Sequence, residues 1–62
     1  MTFEEKMNLL DEQEFEGVAL EYSFDSRWVS FTYNWDTCDF IDANGRHISL
    51  NTLLNYKIRR VA

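Results

Sequence analysis

Residues 15–35, FEGVALEYSFDSRWVSFTYNW, constrain the fold more than any other stretch. Two runs of alternating apolar and polar residues meet at Asp25-Ser26, the pattern of a β-hairpin. Side chains alternate along a strand, so Val18, Leu20, Tyr22 and Phe24 share one face of the first strand, and Val29, Phe31, Tyr33 and Trp35 share one face of the second. A loop of Asp25 and Ser26 pairs Phe24 with Arg27, Tyr22 with Val29, Leu20 with Phe31 and Val18 with Tyr33. Both apolar sets then lie on the same side, whereas a one-residue slip would put them on opposite sides. Asp-Ser lacks the glycine that a tight primed turn prefers, so a longer loop is the alternative. The other face is small and polar except for Trp28. Either a terminal element covers that ring, or it is an exposed anchor for a partner.

The remaining elements follow from local signals. Thr2 with Glu5 forms a capping box ahead of a helix over residues 2–13, and Phe3, Met7 and Leu10 make an apolar stripe at i, i+4, i+7. After the hairpin, a turn at Asp36-Thr37 starts a short third strand and sets Phe40 opposite Tyr33. Asn44-Gly45 is a strong hairpin signal and pairs Ile41 with Ile48 and Asp42 with His47, giving a brief fourth strand. Ser49 caps a second helix over 50–56, and residues 57–61 alternate as a final strand would. The expected fold is a single α+β domain over residues 1–62, with an N-terminal helix, a three- to four-stranded antiparallel meander, and a short C-terminal helix with a possible final strand.

Composition limits what such a domain can do. A chain of 62 residues buries only about 60% of its unfolded surface and needs a dense core or a partner subunit; its ten aromatic residues supply the first. Cys38 is the one cysteine, so there is no internal disulfide, and a reducing, cytoplasmic setting is expected. No apolar run reaches the ~20 residues of a membrane span. Cys38 and His47 are the only soft or imidazole ligands, so neither a metal nor another cofactor is expected. Asp36, Asp39 and Asp42 lack the spacing of a calcium loop. Asp42 across a hairpin from His47 could be an acid–base pair, but no nucleophile accompanies it, and the chain is not expected to be an enzyme. The Leu50–Leu54 segment has the LxxLL form, which at this spacing reads as a buried helix face.

Charge carries the functional expectation. Net charge is −5, and residues 1–25 hold eight acids against Lys6, while residues 46–62 hold four bases and no acid. That balance argues against direct nucleic-acid binding and for a basic protein partner. The alternative is that the basic tail folds back and neutralises the acidic half. Small, acidic and without catalytic motifs, the chain looks in general style like the proteins that phages and mobile elements direct against host nucleases, anti-CRISPR and anti-restriction proteins among them, although no motif ties it to a family. The expected function is inhibition of a basic nucleic-acid-handling enzyme by partial DNA mimicry, with Glu14, Glu16, Glu21, Asp25, Asp36 and Asp39 as the charges and Trp28 as the anchor. Reversing Glu21 and Asp25 to Lys should then remove binding without unfolding the chain. A structural protein that assembles as a homodimer or larger homo-oligomer is the second expectation.

Overall fold

The computed structural model describes residues 1–61. Helix α1 spans Phe3–Glu16. Strands β1 (Leu20–Phe24), β2 (Arg27–Asn34), β3 (Asp39–Asp42) and β4 (His47–Ile48) follow, then helix α2 (Leu50–Leu54) and strand β5 (Ile58–Arg60). All strands pair antiparallel in one sheet of order β4-β3-β2-β1-β5. The α+β arrangement read from the sequence is the one observed, with residues 58–60 added as a fifth strand beside β1. No helix of the described residues is long and apolar enough to cross a membrane.

The hairpin has the expected register, Leu20 opposite Phe31 and Tyr22 opposite Val29. Its loop is the two-residue one. Asp25 (φ 51°) and Ser26 (φ 61°) both lie in the left-handed region, as a type I′ turn requires without a glycine to ease it. Ser26→Gly is therefore expected to stabilise the domain by about 1 kcal/mol, read as a raised urea midpoint with unchanged m-value.

Both helices cover the same face of the sheet. Leu20, Tyr22, Phe31, Phe40, Ile48 and Ile58 of that face pack with Leu9, Leu10 and Leu53 as the core. The capping box is present, Thr2 and Glu5 each accepting the other's backbone N–H at 3.1 Å. The helix nevertheless runs three residues beyond Gln13, to a C-cap at Gly17 in the left-handed conformation. Its inward face is Leu9, Leu10 and Gln13, while Phe3, expected on the stripe, is 67% exposed. The reason is where the helix is tied: Gln13 Nε2 donates to the Phe31 and Val18 carbonyls (2.7 and 3.3 Å), which centres packing on the C-terminal half. Helix α2 is shorter than expected, ending at Leu54, where its terminal carbonyl accepts from Lys6 Nζ (2.9 Å).

The last hairpin departs from the sequence reading by one residue. β4 pairs Phe40 with Ile48 and Ile41 with His47, not Ile41 with Ile48 and Asp42 with His47. The Asp42 carboxylate accepts from the Asn44 and Arg46 backbone N–H groups (both 2.9 Å). The loop thereby becomes Ala43-Asn44-Gly45, closed by Asp42 N–H to Arg46 O, with Gly45 at φ +81°. Because a slip of one residue exchanges the faces of a strand, this register buries Ile48 in the core (5% exposed) instead of leaving it on the open face. It also dissolves the expected Asp42–His47 pair: Asp42 bonds the Tyr22 hydroxyl (2.8 Å) and His47 bonds Asp39.

Candidate interaction surface

The seven residues singled out from charge and pattern are distributed over two faces and both ends of the sheet. Glu21 and Trp28 lie on the face without helices, where Trp28 pairs with Ser23 and Glu21 with Ser30. Strand β5 brings Arg59 beside Glu21. The Arg59 guanidinium sits 3.8 Å over the Trp28 ring and its Nε donates to Glu21 at 2.6 Å. Trp28 is thus partly covered by the final strand and remains 39% exposed. Asp39 is on the same open face but at the far end of β2, opposite Asn34. It accepts from the Thr37 hydroxyl and bonds His47 Nδ1 at 3.0 Å, and these contacts, Thr37 first, hold its carboxyl below the usual range. Asp25 is exposed at the β1–β2 turn, and Asp36 is exposed in the β2–β3 loop at the opposite end of β2.

The C-terminal bases do fold back on the acidic half. Besides Arg59–Glu21, Arg60 Nη2 binds Glu12 at 2.5 Å. Among the described residues, Glu14, Glu16, Asp25 and Asp36 take part in no ion pair. The Lys reversal at Glu21 therefore has a different meaning in the folded chain: it would set a cation against Arg59 on the Trp28 ring and disturb the β1–β5 seam. Glu16 and Asp36 are the positions where a reversal alters surface charge alone.

Three of the six candidate acids converge on a feature that the sequence reading did not single out. Phe15 and Trp35 are 70% and 60% exposed, yet their rings meet edge to face at 6.1 Å. Glu14 and Glu16 flank Phe15 in the chain, and Asp36 follows Trp35. The pair is anchored from below. Trp35 packs against Tyr33 at 4.9 Å, Tyr33 against Phe40 at 5.2 Å, and Phe40 against Phe31 at 5.8 Å, so a ladder of edge-to-face rings joins the surface pair to the core. Burial first, then Cys38 and Glu14, push the Tyr33 phenol up to about 12, so it remains a neutral hydroxyl at physiological pH. Both aromatics escaped the sequence reading because period-two alternation assigned Trp35 to the buried face of β2 and the helix was expected to stop at Gln13. In the fold β2 ends at Asn34, which puts Trp35 in a loop, and the extra turn of α1 carries Phe15 to it.

Aromatic residues are enriched at protein–protein interfaces, tryptophan above all among the residues that carry binding energy, and charge around such rings favours a counter-surface of opposite sign. Asp36 and Asp39 do not join Asp42 as a metal site, since Asp42 points into the core, and no group of three His, Cys, Asp or Glu side chains among the described residues could hold a metal. No family model matches the chain, and comparison with curated proteins and with solved structures also gives no match.

Proposed function

We propose that this chain is a binding protein that inhibits a basic, nucleic-acid-handling enzyme of a host cell, in the manner of the small acidic proteins encoded by phages and mobile elements. It docks through Phe15 and Trp35, with Glu14, Glu16 and Asp36 as the charged rim. The observation that carries this reading is the exposed aromatic pair braced against the core and flanked by acids without ion pairs. Dimensions set the extent of any DNA mimicry. The longest axis is 28 Å, a length over which duplex DNA carries about 16 charges at one per ~1.7 Å. Eleven acids, two of them bound to arginines of the chain itself, can imitate only a short segment, so the apolar anchor supplies the rest of the affinity.

The test is capture from nuclease-treated host lysate by wild type and by Phe15→Ala/Trp35→Ala, followed by binding assays with the purified captured protein. The expected result is a basic nucleic-acid-binding enzyme retained by wild type alone, whose nucleic-acid binding the wild-type chain blocks. Equal retention by both forms, or nucleic-acid binding that proceeds unhindered in the complex, would overturn the reading.

Homo-oligomerisation is the second reading, favoured by the sheet face opposite the helices. Ser30 and Thr32 are exposed there and Ile41 is half-buried with no layer above it. Light scattering at low salt and high protein concentration decides it: a stable dimer that Trp28→Ala dissociates supports assembly through that face, and a monomer removes it.

A further inference from the structure

Beside the aromatic pair, a groove of about 270 Å³ opens between α1 and the sheet. Its floor is Met7, Leu10 and Phe40, its wall is Tyr33, and its rim is Asp11 and Glu14; no cationic side chain lines it. The sequence accounts for this composition. Residues 7, 10, 11 and 14 follow i, i+3, i+4, i+7 along α1 and so share one side of the helix, two of them apolar and two acidic. Asp11 and Glu14 take part in none of the ion pairs of the described residues, so two like charges stand one turn apart above an apolar floor. The volume lies just below the ~300–1,000 Å³ of pockets that take drug-sized ligands, which suits a single long side chain.

We infer that this groove receives one arginine side chain of the basic partner, a proposal that rests on the binding function above and names its recognition element. The aliphatic stem lies along Met7 and Leu10, as long cationic side chains do on apolar surface. The guanidinium reaches Asp11 and Glu14, relieving their mutual repulsion, and stacks on the Tyr33 ring. Arginine suits this site better than lysine because its planar, weakly hydrated head both stacks on aromatic faces and forks between carboxylates.

The probe is a pentapeptide, acetyl-Ser-Gly-Arg-Gly-Ser-amide, titrated at low salt into ¹⁵N-labelled protein, with lysine and citrulline versions alongside. Saturable shifts of the Leu10, Tyr33 and Phe40 amides are expected with the arginine peptide, with roughly fivefold weaker binding of the neutral citrulline peptide and intermediate binding of lysine. The isosteric variant Asp11→Asn/Glu14→Gln should fold normally and abolish the preference for arginine over citrulline. Equal binding of all three peptides, shifts confined to other acids such as Glu4 and Glu5, or an unchanged preference in the variant would overturn the proposal. The two readings fail separately. An absent peptide response together with capture of a basic enzyme through Phe15 and Trp35 sinks only the groove. A specific peptide response with no basic enzyme captured sinks the inhibitor function and leaves the groove as an arginine site.

Discussion

Replacing Phe15 and Trp35 together with alanine is expected to weaken partner binding by about 100-fold while changing the melting temperature by only a few degrees. Hot-spot aromatics cost about 2 kcal/mol or more each on truncation, and their effects do not add fully; about 3 kcal/mol for the pair is about 100-fold in Kd. The stability side follows from exposure. Phe15 and Trp35 already present most of their surface to water, so their removal loses the contact with each other and the upper edge of Tyr33 but opens no cavity in the core. The charged rim should behave differently. Glu16→Lys/Asp36→Lys is expected to slow association and flatten its dependence on salt more than it speeds dissociation, because rim charges act mainly on encounter. Stopped-flow or surface-plasmon kinetics separate the two variants. An aromatic double variant that binds as tightly as wild type would show that the partner docks elsewhere on the molecule.

The second large effect concerns folding. Asp42→Ala is expected to destabilise the domain by about 3 kcal/mol, the upper end of the cost of losing bonds to a charged acceptor and leaving a buried donor unpaired, which is a third or more of a total near ~3–9 kcal/mol for a chain of this length. Asp42 is 7% exposed and accepts three hydrogen bonds, from the Tyr22 hydroxyl and from the Asn44 and Arg46 backbone. Truncation leaves the buried phenol unpaired, frees the loop donors, and removes the device that sets the β3–β4 register. Tyr22→Phe, which leaves the two backbone donors satisfied, should cost only about 1–2 kcal/mol. Urea denaturation of both variants checks the ranking, and a loss below about 1 kcal/mol for Asp42→Ala would show that the network does not hold the hairpin.

The same carboxylate dictates a pH dependence. Burial acts to raise the Asp42 pKa, but the Arg46 N–H, the Tyr22 hydroxyl and the Asn44 N–H together hold it below the ordinary carboxylate value. A group whose folded pKa is depressed adds stability that is fully present above its unfolded pKa of about 3.9 and is lost as pH falls through the folded value. Wild type should therefore weaken as pH falls from about 4, and Asp42→Asn, with no proton to gain, should weaken less steeply over that range.

These residues also show where the sequence was legible. The hairpin could be read because alternation in both strands and the placement of Asp25-Ser26 agree on one register, and a wrong register would have reversed a whole face. The capping box of Thr2 and Glu5 was legible for a similar reason, since both partners lie within one turn. The third strand followed from the same alternation, with Phe40 opposite Tyr33. Reading failed at Asn44-Gly45, where the dipeptide signals a turn but not its length. The side chain of Asp42, two residues earlier, lengthened the loop by binding its N–H groups and turned Ile48 inward. It failed again on α1, where Phe3, Met7 and Leu10 satisfy the helical period as well as Leu9, Leu10 and Gln13 do, and only the hydrogen bonds of Gln13 to the sheet choose between them.

The surface followed the same division. Composition and charge asymmetry, which are sums over the chain, already set an acidic domain with one cysteine and a basic tail, and strand periodicity set an α+β sheet. Those properties need no knowledge of what lies next to what. Which acids stay free, whether Trp28 is available, and that Phe15 reaches Trp35 all depend on contacts between residues far apart in sequence: Arg59 with Glu21 and Trp28, Arg60 with Glu12, and the last turn of α1 with the loop after β2. Such pairings arise from how the helix and the final strand dock on the sheet, and docking is settled by the packing of the whole core, which the tertiary structure alone reveals.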